Sequence, residues 1–121
     1  MKEARSVVIV LARCESDASA SFGIRMERSA EAGWTATWAF QMKESVARRE
    51  GYESTQIDGI GPLRETYPGC PVCGARSFVV CGDCGRTGCW DPSAAQQTCP
   101  WCNVRGTVGG HITSMRAGGD R

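Results

Sequence analysis

Hydrophobic and polar residues alternate along the first half of the chain, a period that predicts β-strands. Residues 6–12 form a continuous apolar, largely β-branched run, which is typical of a buried strand. Residues 22–28 and 34–42 alternate clearly, so each predicts a strand with one apolar face. The side chains predicted on those two faces are Phe22, Ile24 and Met26, and Trp34, Ala36, Trp38, Phe40 and Met42.

The second of these faces carries much of the aromatic side-chain area of the amino-terminal half. Trp34, Trp38 and Phe40 together bury a large surface, so this strand is predicted to form the centre of the core. Residues 43–50 are charged and predict either a helical turn or a continuation of the strand past a bulge, and residues 52–60 alternate only loosely. Residues 1–62 are therefore predicted to form a small antiparallel sheet of about four strands.

The second half of the chain is dominated by cysteines. Cys-x-x-Cys pairs occur three times, and a further cysteine, Cys89, lies between the last two. Two cysteines at this spacing can offer both thiolates to one zinc ion, which prefers four tetrahedral ligands. The pairs are Cys70/Cys73, Cys81/Cys84 and Cys99/Cys102.

The residue after each pair has the turn chemistry of a metal-binding knuckle. Gly74 and Gly85 tolerate a positive φ, and Asn103 is the next most tolerant residue type. Three pairs with matching turns are a much stronger signal than one. The sequence therefore predicts that residues 63–121 form a zinc-ribbon-like, metal-stabilised module. A last strand is predicted at residues 111–115, and a flexible, frayed carboxyl-terminal tail at residues 117–121. The fold class predicted for the whole chain is mainly β with little helix.

Composition and charge narrow the function classes. The net charge is +1, which gives no bias toward nucleic acid or a membrane surface. The apolar run at residues 7–12 is too short for a signal peptide, and Arg13 stands where a cleavage site needs a small residue. We therefore expect a cytoplasmic, reducing location, where clustered cysteines favour metal binding over disulfides.

The spacing leaves open which cysteines share an ion. In a sequential arrangement, the first two pairs hold one zinc, and Cys89, Cys99 and Cys102 need a fourth ligand. In a nested arrangement, the first and third pairs hold one zinc, and Cys81, Cys84 and Cys89 are incomplete. Seven cysteines are one ligand short of two tetrahedral sites in both cases. A single bound ion with three free cysteines is the remaining alternative.

The predicted eighth ligand is His111, the one histidine of the chain, which follows the last knuckle by a few residues. The other candidate is Cys14, which is distant in sequence and is interpreted as a free buried thiol. The predicted metal is zinc, with two ions per chain. The predicted ligands are Cys70, Cys73, Cys81, Cys84, Cys89, Cys99, Cys102 and His111.

The cysteine-rich half resembles the TerY-C metal-binding domain of bacterial tellurite-resistance and stress-response proteins. The resemblance covers roughly the last half of the chain, and the CPWC step is its most specific part. The matching residues are YPGCPVCG at 67–74, FVVC at 78–81, Cys84-Gly85, Cys89-Trp90 and TCPWC at 98–102. In that family the domain follows a von Willebrand factor A domain and works beside a kinase and a phosphatase. This chain has no room for a von Willebrand factor A domain, and Asn103 stands where a glycine is common.

These observations favour a non-enzymatic protein-interaction or adaptor module with structural zinc. A surface around Arg76, Arg86 and Trp90 is predicted to face a protein partner, and the resemblance implies a von Willebrand factor A, kinase or phosphatase component. The alternative is a zinc-ribbon nucleic-acid-binding protein, but Arg76 and Arg86 are offset by Asp83 and Asp91. Redox catalysis by the CPWC pair would need a following helix, which residues 103–110 do not predict.

Overall fold

The computed structural model describes residues 6–52 and 55–118 and confirms a mainly β chain with little helix. The five strands of the main sheet are β1 (Ser6–Arg13), β2 (Ser21–Ser29), β3 (Gly33–Gln41), β5 (Ser77–Val80) and β6 (Thr87–Trp90). The smaller elements are α1 (Glu44–Arg49), β4 (Thr55–Asp58), β7 (Gln96–Thr98), β8 (Arg105–Thr107) and β9 (Ser114–Ala117).

The main sheet contains strands from both sides of residue 62. Its order is β3-β2-β1-β6-β5, and the central contact is a parallel pairing of β1 with β6 through Ala12–Thr87 and Arg13–Gly88. The neighbouring pairs β1–β2, β2–β3 and β5–β6 are antiparallel. The sequence predicted a fourth strand of the amino-terminal sheet in the region of β4. That prediction is wrong, because β4 pairs with β9 instead. The second two-stranded ribbon is β7–β8.

The hydrophobic core lies under β1 and β2 and continues into the cysteine-rich half. Phe22, Ile24 and Met26 of β2 are fully buried, as their alternation predicts, and they pack with alternate residues of β1. The same cluster includes Tyr67 and Phe78, whose rings meet edge to face at 5.7 Å. Three cysteines are also members, namely Cys14, Cys70 and Cys89. One group of candidate metal ligands is therefore part of the core.

β3 departs from the predicted face because it contains a bulge. Met26 pairs with Ala36 while the preceding Arg25 pairs with Trp38, so Thr37 is an additional residue on β3. An extra residue inverts the side-chain phase beyond it. Trp38 is consequently 51% exposed, and Ala39 is buried in its place. The prediction that Trp38 belongs to the core is wrong, and Phe40 and Met42, also beyond the bulge, are only partly buried and lie outside the core cluster. Trp34 and Ala36, before the bulge, are buried.

The charged segment after β3 takes one of its two predicted forms, whereas the carboxyl-terminal end differs from expectation. The charged segment after β3 is helical, and Glu44 in its first turn forms ion pairs with Arg13 and Arg48. The last strand begins at Ser114 rather than at residue 111. Ala117, predicted to fray, is buried, and Gly118 exchanges backbone hydrogen bonds with Ile9. Residues 119–121, the rest of the predicted tail, lie outside the described residues.

We expect Gly33→Ala to destabilise the fold by about 2 kcal/mol or more. Gly33 has φ +74°, and a Cβ there would lie 2.2 Å from the carbonyl oxygen of Gly59. The atoms nearest to this Cβ position all belong to the backbone of Gly59 and Gly61, so no flexible side chain can move away to make room. Gly106→Ala is the control, because a Cβ there meets nothing within 4 Å. Urea unfolding curves measure the difference, and equal midpoints for the two variants would contradict the expectation.

Candidate metal centres

Eight cysteine sulfurs converge into two groups of four. Centre 1 consists of Cys14, Cys70, Cys73 and Cys89, and centre 2 consists of Cys81, Cys84, Cys99 and Cys102. Within each group, all Sγ atoms lie within 4.8 Å of one another. Each group therefore offers four thiol ligands around a single point, so the chain has the ligands for two metal ions.

The sulfur separations match a tetrahedral metal site. Cys73 and Cys89 approach to 3.6 Å, and the pairs Cys81–Cys102 and Cys84–Cys99 to 3.7 Å. A tetrahedron with Zn–S bonds of about 2.3 Å has sulfur–sulfur edges of about 3.8 Å. A disulfide requires about 2.05 Å, and all eight cysteines are free thiols. The donor set therefore fits zinc.

The three Cys-x-x-Cys pairs adopt one shared turn, as the sequence predicts. In each, the first cysteine's N–H donates to the carbonyl two residues after the second cysteine, and the residue between those two donates back to the first cysteine's carbonyl. That intervening residue has positive φ in all three turns. The values are +81° at Gly74, +75° at Gly85 and +67° at Asn103.

The same turns aim backbone N–H groups at sulfur. The amides of Val72, Asp83 and Trp101 each lie 3.4 Å from the Sγ of the first cysteine of their pair. In centre 1, the amide of Glu15 lies 3.1 Å from the Sγ of Cys89. A hydrogen bond to a thiolate favours its charged form, which is the form that binds metal.

The assignment of cysteines to centres differs from both predicted arrangements. Along the chain the centres interleave: the first pair and Cys89 belong to centre 1, and the second and third pairs to centre 2. The β5–β6 hairpin is the physical reason. Cys81 and Cys84 lie at its turn, whereas Cys89 is opposite Phe78 in the strand register. A strand advances about 3.3 Å per residue, so β6 carries Cys89 away from the turn and toward the Cys70 knuckle.

Cys14 occupies the position for which the sequence predicted His111. It follows β1 directly, and the pairing of Arg13 with Gly88 brings it beside Cys89. His111 is exposed, precedes β9 and belongs to neither centre. The interpretation of Cys14 as a free thiol is wrong because it rests on distance in sequence, whereas the parallel pairing of β1 with β6 brings Cys14 close to Cys89 in space. Its place at the end of a buried strand, in a chain one ligand short, was the available signal.

Burial of the sulfur atoms perturbs the thiol pKa values in both centres. Burial raises the pKa of Cys14 to about 11 and that of Cys84 to about 12, and it also raises the pKa of Cys89. Burial opposes ionisation of Cys81 too, but the backbone N–H groups of Cys84 and Asp83 outweigh it and lower the pKa to about 7. Several thiols are thus protonated at neutral pH without metal, so metal binding must release protons.

A cation–π stack connects centre 2 to the main sheet. The Trp101 ring, inside the third knuckle, has the Arg13 guanidinium 3.9 Å and the Arg86 guanidinium 4.6 Å from its centroid. Its indole N–H donates to the carbonyl of Thr87 in β6 at 2.7 Å. Arg13 in turn pairs with Glu44 at 2.8 Å. Trp101 therefore holds the knuckle against β6 and the end of β1.

We expect Trp101→Ala to lower the free energy of unfolding by about 2 kcal/mol, because it removes two cation–π contacts and a hydrogen bond from a half-buried ring. Trp38→Ala is the matched control and should cost less than about 1 kcal/mol, since Trp38 is 51% exposed. Denaturant unfolding of the metal-loaded variants measures both. An equal loss in the two would show that the stack adds no stability.

Comparison of the chain with protein-family models, with curated proteins and with solved structures gave no match. The resemblance to the TerY-C domain thus remains a prediction from the quoted residues. Within residues 6–52 and 55–118, no helix is long and apolar enough to cross a membrane.

Proposed function

We propose that the protein is a protein-interaction or adaptor module stabilised by two structural zinc ions, and that it is not an enzyme. The observation that carries the proposal is the pair of four-cysteine centres. Four protein thiolates fill every position of a tetrahedral zinc ion, so no position remains for a water or a substrate. A closed centre of this kind contributes folding free energy rather than chemistry.

The position of the centres supports a structural role for the metal. Centre 1 would join three separate parts of the chain: the end of β1, the Cys70 knuckle and β6. Centre 2 would join the turn of the β5–β6 hairpin to the knuckle that follows β7. In the described part of the cysteine-rich half, residues 63–118, the strands are only three or four residues long. Metal ligation would supply the stability that so small a core lacks.

The cellular role proposed here follows from the resemblance to the TerY-C domain. It suggests a bacterial tellurite-resistance-like stress-response system, a cytoplasmic location, and a partner that is a von Willebrand factor A, kinase or phosphatase component. Nucleic-acid binding has less support. Arg86 is stacked on Trp101, and the pKa of the Asp91 carboxyl is lowered by hydrogen bonds from the Ser93 backbone and hydroxyl and, to a smaller extent, by the charge of Arg76.

Cobalt substitution tests whether the centres are closed. We expect two Co²⁺ ions per chain with the visible absorption of tetrahedral thiolate coordination, and no spectral change when azide or imidazole is added. An exogenous ligand that alters the spectrum would reveal an open position and would favour a catalytic metal over the structural role proposed here.

The interaction role has a separate test. Zinc-loaded protein is titrated by calorimetry against purified von Willebrand factor A, kinase and phosphatase components of a tellurite-resistance system, and against duplex and single-stranded DNA and RNA. We expect saturable binding to one protein component and only weak, salt-sensitive binding to nucleic acid. Tight nucleic-acid binding at physiological salt would instead support the alternative function.

A further inference from the structure

A groove of about 900 Å³ lies along the outer edge of β5. One wall is formed by residues 77–82, and the opposite walls come from residues 60–63, the β7–β8 ribbon and the segment 106–114. Two apolar side chains on its rim are well exposed, Leu63 at 40% and Val104 at 43%. The groove is thus long, open and bordered on one side by a strand.

The strand edge that faces the groove has free backbone groups. Cys81 donates its N–H to Arg86 across the end of the hairpin, which makes 81–86 a hydrogen-bonded pair. In an antiparallel ladder, hydrogen-bonded pairs alternate with non-hydrogen-bonded pairs. In this register Val79 and Ser77 therefore also belong to hydrogen-bonded pairs and point their N–H and C=O groups toward β6. Phe78 and Val80 must then point theirs away from β6, toward the groove. No backbone hydrogen bond from another described part of the chain reaches these two residues.

The other edge of the same sheet shows what a protected edge looks like in this protein. Along β3, Trp34 donates to Gly59 at 2.9 Å and accepts from Gly61 at 2.7 Å, and Arg64 donates to Ala36 at 3.1 Å. The segment 59–64 therefore covers the first part of the β3 edge, at Trp34 and Ala36, with backbone hydrogen bonds. Exposed strand edges readily pair with other chains, and proteins usually block them. Here the chain blocks part of one edge, whereas no backbone hydrogen bond from the described residues covers the other edge, beside the groove.

The lining of the groove indicates what would fit there. Among the described residues, its lining contains no aspartate, glutamate, lysine or arginine. It combines apolar side chains, such as Val79, Val80 and Ile112, with uncharged polar ones and with His111. Gly106, Gly109 and Gly110 lie across the groove from β5, and a Cβ at any of them would meet nothing within 4 Å. An uncharged, apolar, extended segment has the backbone to pair with β5 and side chains that need no charged partner.

We propose that this groove binds an extended, uncharged and apolar segment of a partner protein, which adds as a further strand to the free edge of β5. The proposal rests on the interaction role proposed above and specifies where the partner binds. Main-chain hydrogen bonds to Phe78 and Val80 would supply the register, and the apolar walls would select alternate side chains of the segment.

The test uses the full chain loaded with zinc and a library of random dodecapeptides displayed on phage. We expect enrichment of peptides with a central uncharged run of alternating apolar residues. In isotope-labelled protein, binding of the synthetic consensus peptide should protect the amides of Phe78 and Val80 from hydrogen exchange. Methylation of a peptide backbone nitrogen that points toward β5 should weaken binding about tenfold or more, because each such methyl group removes one ladder hydrogen bond. Methylation at the intervening positions, whose N–H groups point away from β5, should leave binding unchanged.

Charge insertion locates the site. Val104→Lys and Leu63→Lys should each weaken peptide binding about tenfold or more, because they place a charge on an apolar wall. Trp38→Lys is the matched control on the opposite edge strand and should leave binding unchanged. All variants are first checked for metal content and for an unchanged pattern of amide resonances elsewhere.

Several outcomes would overturn the groove proposal. One is a folded, fully metal-loaded protein that enriches no peptide. Another is peptide binding that ignores Val104→Lys and shifts amides away from β5. A third is a dimer in light scattering with Phe78 and Val80 protected in the absence of peptide, because the occupant would then be a second copy of the chain. A folded, metal-loaded protein that enriches no peptide would leave the structural metal proposal intact. A chain that binds no metal would refute the metal proposal independently of any peptide result.

Discussion

Cys14→Ser is expected to reduce the metal content from two ions per chain to one, whereas His111→Ala is expected to leave two. Cys14 completes centre 1, in which all four sulfurs lie within 4.8 Å of one another, and His111 belongs to neither centre. A serine hydroxyl is a poor zinc ligand at neutral pH, so centre 1 would retain only three thiolates. The loss should also destabilise the core, because Cys14, Cys70 and Cys89 are members of it.

Metal content by elemental analysis and native mass spectrometry decides between the two variants. The measurement uses protein purified without added metal, and free thiols are counted before and after chelation. Cys102→Ser is a useful companion, because it removes an exposed ligand of centre 2 and should cost one ion without opening the core. Two ions in Cys14→Ser and one in His111→Ala would show that the histidine is the ligand after all.

Chelation of both ions is expected to unfold most of the chain. Structural zinc sites contribute about 10–16 kcal/mol of apparent binding free energy in small peptides, whereas a whole domain is stable by only about 5–15 kcal/mol. The loss of two such sites therefore exceeds the whole stability of an ordinary domain. Protection of the Ala12 and Arg13 amides, where β1 meets β6, should disappear together with the knuckles because Cys14 and Cys89 lie beside that contact.

Amide resonances and near-ultraviolet circular dichroism are followed as chelator is added and as zinc is returned. Under reducing conditions the change should reverse on addition of zinc, since all eight cysteines remain free thiols. The number of reactive thiols should rise only as metal leaves. A metal-free chain that keeps dispersed resonances throughout β1, β6 and the knuckles would contradict a structural role for the metal.

Local patterns in the sequence predicted the first three strands. A continuous apolar run indicated β1, and the two-residue period that burial of one face imposes indicated β2 and β3. The face of β2 is as predicted, and so is that of β3 up to Ala36. Beyond that point the bulge at Thr37 inverts β3 and exposes Trp38. A bulge depends on how two strands register against each other, and one strand's own pattern does not contain that information.

The candidate ligands divide in the same way. The three knuckles were recognisable because their conformation is local: two cysteines, a closing hydrogen bond and a residue that tolerates positive φ. The pairing of knuckles was not recognisable, because it depends on the length of the β5–β6 hairpin and on which strand lies beside it. Spacing along the chain left a sequential and a nested arrangement open, and the structure adopts neither of them.

The sequence by itself determined the class of the fold, the cysteine-rich knuckles and the expectation of two metal ions. Each of these follows from short-range chemistry: side-chain alternation, turn conformation and the count of thiols. Only the tertiary structure decided that Cys14 completes centre 1, that the two halves share one sheet, and that the β5 edge is open. All three depend on the position of β1 beside β6. That contact joins residues far apart in sequence, so no local pattern records it.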